Sequence, residues 1–241
     1  MRLKVSALAR LTPLLIAVLI GPYVGTTAAA EWPGWRGNNG DGVWREDRIV
    51  DRLPAGQIPI KWRTPVSSGY SGPTVAGGRV FVSDRVTEPT QRERVLCFRW
   101  DTGELLWVHE YECPYRDVSY TAGPRASITL HDGLAYALGT MGHLHCLEAA
   151  TGKVVWKKDL NDLYRIRMPI WGIAGSPVVY EDLVIIQVGG SDACLVAFDR
   201  KTGEERWRSL EDRAGYSTPI VVQQAGRDLM ITWTGDRVVG L

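Results

Sequence analysis

The chain has 241 residues, of which 45% are hydrophobic and 23% are charged, with 28 Lys and Arg against 27 Asp and Glu. The formal net charge of +1 gives no electrostatic basis for binding nucleic acid or an anionic membrane surface, so we expect neither partner. This composition is typical of one soluble globular unit.

The first thirty residues form a separate segment. Three basic residues by position 10 precede the apolar run 14–20, and three alanines occupy 28–30. This order predicts a secretory signal peptide over residues 1–30. An uncleaved anchor is the alternative, although the run is shorter than the roughly 20 apolar residues of a membrane-spanning helix. We therefore expect a periplasmic or secreted protein with no membrane span beyond the signal peptide.

Residues 31–59 form a lead-in to the first periodic segment. The sequence Asn-Asn-Gly-Asp-Gly at 38–42 superficially resembles a calcium or phosphate loop, but it lacks the Gly-Lys-Ser/Thr ending of a P-loop and the closing Glu of a calcium loop. We interpret it as a Gly-rich turn. Residues 60–63 follow with the pattern of a short strand.

From residue 60 onwards the chain repeats itself. Four tryptophans recur at intervals of 45, 49 and 51 residues, and the last three each lie five positions after the Thr of a Thr-Gly pair. The tryptophans are Trp62, Trp107, Trp156 and Trp207, and the pairs are Thr102 with Gly103, Thr151 with Gly152, and Thr202 with Gly203. A period near 50 residues with several short apolar runs in each copy indicates a solenoid or a propeller.

Each copy contains four short runs with strand character. The runs lie at 74–75, 80–82, 95–98 and 105–108 in the first copy, at 127–130, 134–138, 144–147 and 154–157 in the second, and at 177–180, 183–188, 195–198 and 205–208 in the third. Gly-Gly or Asp-Gly separates the first two runs of the first and second copies, and Gly accepts the positive φ that tight hairpin turns require. Four antiparallel strands in about 50 residues are the pattern of a β-propeller blade.

The repeated residues have a structural interpretation. Thr-Gly is predicted to form the turn between the third and fourth strands, and the Trp falls on the same face of every fourth strand because strand side chains alternate. A buried indole covers roughly 200 Å² and donates one hydrogen bond, which suits the gap between neighbouring blades. We therefore predict that these tryptophans pack blade against blade, with stacking on a ligand as the minor alternative.

The four cysteines are well separated in the sequence. Cys97 and Cys146 lie five residues before their Thr, where the third copy has Ala197, and this predicts two buried, unpaired thiols in a small-residue position. Cys113 is expected in a loop and Cys194 at the start of a strand. The sequence leaves open whether these two pair.

The third copy contains the complete pattern Asp-x-x-Thr-Gly-x-x-x-x-Trp, beginning at Asp199, whereas the other copies have Arg99 and Glu148 in place of the Asp. This pattern, preceded by a β-rich run, resembles the pyrroloquinoline quinone (PQQ) repeat. Residues 32–42 are similar to the lead-in of secreted bacterial members of that superfamily. The resemblance extends over residues 32–241 and implies an all-β fold of propeller blades, but it is not specific for the quinone.

Propellers of this superfamily include quinoprotein dehydrogenases and non-catalytic scaffolds such as the outer-membrane assembly lipoprotein BamB. The enzymes combine an adjacent Cys-Cys disulfide, a catalytic Asp and Ca²⁺ held by acidic and amide side chains. This sequence has no adjacent Cys pair, and Asp84, Asp117 and Asp192 are expected near loops in solvated positions. The resemblance thus implies a non-enzymatic scaffold of the cell envelope, with no catalytic residue, metal or cofactor, that binds a protein or small ligand on its loops. The alternative is a dehydrogenase of alcohols or sugars that uses PQQ and calcium.

Two further patterns are candidate sites. His143 and His145 alternate along a predicted strand and could hold a metal on one face, but the other copies have no histidine there, so we interpret them as variable blade positions. The segment 164–175 is the longest irregular insertion between strands. Its Arg165, Arg167 and Trp171 make it the predicted contact patch, because Arg and Trp favour binding hot spots; ordinary loop packing is the alternative.

The number of blades follows from the last segment. Residues 218–241 supply three strands of a fourth copy, and the strand at 60–63 is of the type that would complete it. A closed four-bladed ring is possible, but relatives build seven or eight blades, and blades shaped for such rings would leave gaps in the core of a smaller one. We therefore predict that residues 60–241 form an open arc of about four blades of a larger ring. Its bare end faces would be covered by the remaining blades or by a second copy.

Overall fold

A computed structural model of the chain describes residues 31–46, 52 and 55–241. The predicted signal peptide, residues 1–30, lies outside the described residues, as does part of the 31–59 lead-in. The boundaries of these segments therefore stay a prediction.

The described strands form four antiparallel sheets, and within each sheet the strands lie in chain order. Blade 1 consists of β1 (Thr74–Ala76), β2 (Arg79–Val86), β3 (Arg92–Arg99) and β4 (Leu105–Glu112), and blade 2 of β5 (Thr129–His131), β6 (Leu134–Leu138), β7 (His143–Glu148) and β8 (Val154–Asp159). Blade 3 consists of β9 (Val178–Tyr180), β10 (Leu183–Gly190), β11 (Ala193–Asp199) and β12 (Glu205–Ser209), and blade 4 of β13 (Ile220–Gln224), β14 (Arg227–Trp233) and β15 (Val238–Gly240). The predicted all-β propeller architecture is confirmed.

The Thr-Gly turns of the first three blades share one geometry. Gly103, Gly152 and Gly203 have φ of +72°, +73° and +73°, a left-handed conformation that glycine adopts without steric cost. Each of these glycines donates its N–H to the carbonyl four residues earlier, at 2.8 to 2.9 Å. Each Thr hydroxyl accepts from the N–H two residues further on, at 3.2 to 3.3 Å. The repeated pair thus forms the hairpin between the third and fourth strands.

Three repeat tryptophans lie over the Thr-Gly turn of the following blade. The pairs are Trp62 over Gly103, Trp107 over Gly152 and Trp156 over Gly203. A Cβ added to these glycines would lie only 2.5, 2.6 and 2.7 Å from the indole. Each indole N–H donates to the carbonyl three residues before the glycine, at 2.8, 3.2 and 3.1 Å. Glycine is therefore required both by its positive φ and by the ring above it.

A β-bulge recurs opposite the tryptophans of blades 1 to 3. The register between the third and fourth strands shifts immediately after the residue paired with the Trp. The paired residues are Cys97, Cys146 and Ala197. A small side chain is needed at this position because the indole occupies the same face of the sheet.

All four cysteines are buried and free. This confirms the unpaired thiols predicted at Cys97 and Cys146, and it shows that Cys113 and Cys194 do not pair. Burial raises the pKa of the Cys97, Cys146 and Cys194 thiols to about 12, so they remain protonated and act as small apolar groups.

Apolar clusters join the blades face to face. Phe81 belongs to the cluster between blades 1 and 2, Phe198 to the one between blades 2 and 3, and Met230 to the one between blades 3 and 4. Among the described residues, no such cluster joins blade 4 to blade 1, and the array is an unclosed arc. Blade 4 leaves several large apolar side chains exposed, namely Ile220, Trp233, Val238 and Leu241.

Two local features differ from the expectation. Residues 60–63 form no strand, because no described strand lies beside them to pair with, although Trp62 still packs on blade 1. A short helix, α1 (Leu160–Tyr164), follows β8, and the side chain of Asp159, directly before the helix, caps its first turn. None of the described helical structure is long and apolar enough to cross a membrane.

The described part of the lead-in packs on the first strands of blades 1 and 2. Trp32 exchanges two backbone hydrogen bonds with Val75 of β1, at 2.8 and 2.9 Å, and the Pro33 carbonyl accepts from Leu130 of β5 at 2.7 Å. The segment 38–42 is a turn, as predicted, in which the Gly42 N–H donates to the Arg36 carbonyl at 2.9 Å. The lead-in thus adds an inner layer to the concave side of the arc.

Candidate functional site

Three connections between successive blades meet at one rim of the arc. They lead from β4 to β5, from β8 to β9 and from β12 to β13. The first loop is linked to the second by a hydrogen bond from the Ser119 N–H to the Ile170 carbonyl, at 2.6 Å. In the second and third loops, the rings of Trp171 and Tyr216 lie with their centroids 4.8 Å apart. The rim is therefore a continuous surface to which three blade connections contribute.

Large apolar side chains are exposed side by side on this surface. The exposed fractions are 66% for Tyr120, 60% for Ile170, 44% for Trp171 and 40% for Tyr216. Tyr120 packs edge-on against Trp171, with the ring centroids 6.0 Å apart. We call these four residues the rim patch. Contiguous exposed apolar surface marks interaction sites, and Trp and Tyr often dominate the binding energy of interfaces.

A groove of about 760 Å³ lies beside the rim patch. We call it the rim groove, and its lining includes Arg167, Pro169, Ile170, Arg213, Tyr216 and Trp233. Arg213 pairs with Asp236 at 2.7 Å, and its hydrogen bond lowers the pKa of that carboxyl. The groove is thus mainly apolar with guanidinium groups at its edge.

The structure places the predicted contact residues in two different settings. Trp171 belongs to the rim patch and Arg167 lines the rim groove. Arg165 is exposed at the end of α1, where its left-handed backbone, with φ +51°, terminates the helix, and it does not line the groove. Tyr120 and Tyr216 could not be predicted as part of this surface, because they come from two other blade connections far away in the chain.

A buried amide fixes the third rim loop. The Gln187 side chain donates to Thr232 Oγ1 at 2.8 Å and accepts from the Gly215 N–H at 2.6 Å. Gly215 directly precedes Tyr216, so this contact positions the loop that carries the aromatic ring. A surface that is ordered before binding loses less conformational entropy when a partner binds.

A buried carboxylate fixes the first rim loop. Glu93 is fully buried and accepts hydrogen bonds from the Tyr111 hydroxyl at 2.6 Å, from the Thr140 N–H at 3.1 Å and from the Tyr115 hydroxyl. Burial, reinforced by the nearby Glu93 carboxylate, raises the pKa of both tyrosines well above the ordinary value. Tyr115 lies in the loop that carries Tyr120, and this network therefore supports the rim patch.

A layer of imidazoles lies between blades 1 and 2. His109 of β4 and His145 of β7 have ring centroids 4.9 Å apart, and Tyr111 packs on His145 at 4.3 Å. Burial lowers the pKa of His145 to about 3, and repulsion from a protonated His109 would add to the effect; burial also lowers the pKa of His109. Both imidazoles are therefore neutral near pH 7.

The predicted histidine pair has two different environments. His143 Nδ1 lies 3.6 Å from Cys113 Sγ, and its Nε2 lies 3.6 Å from Asp159 Oδ2, whereas His145 contacts His109. Within residues 31–46 and 55–241, no three His, Cys, Asp or Glu side chains are arranged to hold a metal ion. The two histidines lie in the packing between blades 1 and 2.

The three candidate acids lie apart from one another. The expectation that Asp84 is solvated near a loop is wrong: it is buried within β2 and forms a bidentate ion pair with Arg94, at 2.6 and 2.8 Å. A strand position next to a long basic side chain allows a carboxylate to be buried with a partner. Asp117 and Asp192 are exposed in loops with positive φ of +55° and +53°.

Comparison with known proteins identifies the family. A family model described as "Outer membrane protein assembly factor BamB" matches residues 91–241. The chain belongs to this family. Over 181 residues it is also 30% identical to a quinoprotein ethanol dehydrogenase of Pseudomonas putida, a match that covers 71% of this chain and 25% of that enzyme. The resemblance to PQQ-like propellers is confirmed.

Solved structures of both kinds share the fold. BamB from Moraxella catarrhalis matches with a TM-score of 0.54 and 20% identity over 75% of this chain and 50% of that chain. A quinohemoprotein alcohol dehydrogenase from Comamonas testosteroni matches with a TM-score of 0.55 and 26% identity over 76% of this chain and 28% of that chain. The chain spans half or less of the length of each of these relatives. Because both an assembly factor and enzymes share the fold, the function must be argued from the site.

Proposed function

We propose that this chain belongs to a non-enzymatic propeller scaffold of the cell envelope that binds a protein partner through the rim patch. The observation that carries the proposal is the exposed aromatic surface formed by three blade connections. The family description, an outer membrane protein assembly factor, supports a role in holding other proteins.

The construction of the rim patch favours a protein partner. Its aromatic rings contact one another across loops, as the Trp171 and Tyr216 rings do, and buried groups fix two of these loops from behind. A rigid, amphipathic aromatic surface provides large contact area with little loss of side-chain entropy on binding. The guanidinium groups beside it, Arg167 and Arg213, suit the polar rim that surrounds the centre of an interface.

Site-specific photo-crosslinking in intact cells tests this proposal. A photoreactive residue in place of Tyr120 or Tyr216 is expected to capture one discrete partner, whereas the same residue in place of Val155, which is exposed on β8 near the Thr-Gly turn, is not. The substitution Trp171→Ala should abolish capture from position 120 without changing the amount of protein. Equal capture from position 155, or capture that survives Trp171→Ala, would refute the proposal.

The location in the cell envelope depends on the predicted signal peptide. We propose that the mature protein begins near Glu31 and is periplasmic or secreted. Mass spectrometry of the protein purified from the envelope fraction is expected to find this new N-terminus. An N-terminus at Met1 in a cytoplasmic fraction would contradict export.

A PQQ-dependent dehydrogenase is the alternative, favoured by the identity to the ethanol dehydrogenase. A Ca²⁺ site needs 6 to 8 oxygen ligands, and the described residues do not bring a cluster of acidic side chains together. The described part of the chain therefore offers no acidic cluster to hold the ion. Titration with PQQ and Ca²⁺, followed by quinone absorbance and by dye reduction with alcohols or sugars, separates the two functions. Stoichiometric quinone binding with substrate-dependent dye reduction would replace the scaffold proposal.

A further inference from the structure

A second groove lies on the concave side of the arc. It is bounded by the lead-in on one side and by the first strands of blades 2, 3 and 4 on the other, and we call it the axial groove. Its volume of about 850 Å³ is within the range of roughly 300 to 1,000 Å³ that is typical of small-ligand sites. The lead-in is a fixed wall, because Trp32 and Pro33 bond to β1 and β5 and the Glu31 side chain accepts from the Gly77 N–H at 2.8 Å.

The lining of the axial groove combines aromatic faces with free amide groups. Trp35 and Tyr70 line it with exposed fractions of 52% and 51%. Asn38 and Asn39 also line it, are exposed, and have side chains that bond to no other described residue. An amide both donates and accepts hydrogen bonds, so these two side chains can bind hydroxyl groups of a ligand.

The charge of the lining is positive. Arg36 and Arg125 line the axial groove, and none of the described lining residues is Asp or Glu. Arg36 donates one hydrogen bond to the Asp41 carbonyl at 3.0 Å and has no carboxylate partner among the described residues. The terminal nitrogens of Arg125 donate to three carbonyls and to Thr140 Oγ1, and its guanidinium lies over the Tyr70 ring at 5.2 Å, so it contributes positive charge but no free N–H fork. Carboxylates close to these loops already have cationic partners; the pairs are Asp41 with Arg45 and Asp132 with Arg200.

We infer that the axial groove binds an acidic oligosaccharide. The apolar faces of the sugar rings lie on Trp35 and Tyr70, and Asn38 and Asn39 bond to the hydroxyl groups. A carboxylate of the ligand pairs with the exposed Arg36, whose planar guanidinium matches carboxylate geometry, and the positive charge of Arg125 adds to the attraction. This inference goes beyond the proposed function, because it assigns a small ligand to a second groove, which shares only Tyr216 with the rim patch that we propose for a protein partner.

Calorimetric titration of the purified chain with trigalacturonate tests the inference, with neutral maltotriose as the matched sugar. Trigalacturonate is expected to bind at least about tenfold more tightly than maltotriose, which corresponds to about 1.4 kcal/mol. Trp35→Ala and Arg36→Gln should each weaken the binding of trigalacturonate by about tenfold. The rim variant Ile170→Ala, whose residue lines the rim groove but not the axial groove, should leave it unchanged, and this control separates a failure of the inference from a failure of the scaffold proposal.

Two further measurements keep the test decisive. Asn39→Ala removes an exposed amide without breaking a described hydrogen bond, so it should weaken binding while circular dichroism and thermal unfolding stay as in the wild type. Inorganic phosphate, added at the same concentration as trigalacturonate, should not displace trigalacturonate from the groove. The inference is overturned if trigalacturonate fails to bind at millimolar concentration, if maltotriose or phosphate binds equally well, or if Trp35→Ala, Arg36→Gln and Asn39→Ala all retain wild-type affinity.

Discussion

Several positions in this protein require a small residue because a large neighbour occupies the adjacent space. Gly152 lies under Trp107, and Cys146 lies opposite Trp156. These requirements could be predicted from the sequence because they recur in every repeat. The requirement at Gly139 could not, since its neighbour Glu93 lies in another blade and the contact occurs only once.

Gly139→Ala is predicted to destabilise the protein by disrupting the buried Glu93 network. The added Cβ would lie 2.2 Å from Glu93 Oε2 and 2.4 Å from the Tyr111 hydroxyl, so the carboxylate would have to move away from its donors. We expect a loss of about 2 to 3 kcal/mol in the free energy of unfolding, measured with urea. Gly133→Ala is the control: it has a positive φ of +74° but no neighbour within 4 Å, and it should cost about 1 kcal/mol. A wild-type stability for Gly139→Ala would contradict the prediction.

The elements with the clearest repeat pattern were also the ones that could be predicted. Alternating apolar residues and Gly-containing turns located the strands of all four blades. The helix α1 was missed because five residues are too few to show helical periodicity, and its cap, Asp159, looks like a loop residue. Residues 60–63 have a strand-like sequence but form no strand, because no described strand lies beside them. A strand depends on its pairing partner as well as on its own residues.

The packing of β4 on β7 is predicted to make stability depend on pH. The pKa of His145, about 3, and the lowered pKa of His109 lie below the ordinary value of about 6.5, so the unfolded chain takes up protons that the folded chain excludes. The contribution of His145 is present above the ordinary pKa of about 6.5 and is lost as the pH falls towards 3, by up to about 1.4 kcal/mol per pH unit, and His109 adds a loss in the same direction. Urea unfolding at a series of pH values measures this loss.

Two variants isolate the contribution of the histidines. His145→Val introduces the residue type that β11 has at the equivalent position, Val196, and it should flatten the pH dependence. His131→Gln changes a histidine outside this layer and should leave the dependence unchanged. An unaltered pH slope in His145→Val would show that other groups cause the loss.

The arrangement of the blades could be predicted from the repeat, but the rim patch could not. Three loops separated by about 50 residues each contribute exposed side chains, and only Ile170 and Trp171 belong to the segment whose composition indicated binding. A repeat defines how blades pack, whereas the loops between blades are free to vary and carry the function.

The unclosed arc leads to a prediction about association. Blade 4 exposes Trp233 and Val238, and exposed apolar surface of this kind favours contact with further blades or a second copy. Size-exclusion chromatography with light scattering is expected to show a mass above 26.8 kDa that rises with concentration. Val238→Lys should reduce this association, and Val155→Lys should not. A compact monomer at every concentration would contradict the prediction.

Indoles that lie on glycines couple successive blades, and a double-mutant cycle between Trp107 and Gly152 measures this coupling. Trp107→Ala should cost about 3 kcal/mol or more by leaving a cavity, and Gly152→Ala should cost a similar amount because its methyl group collides with the indole. Once the indole is gone the methyl group has room, so the double variant should be more stable than the sum of the two losses predicts, by about 1 to 2 kcal/mol. Additive losses would show that the two residues do not interact and would contradict this account of how the blades are held together.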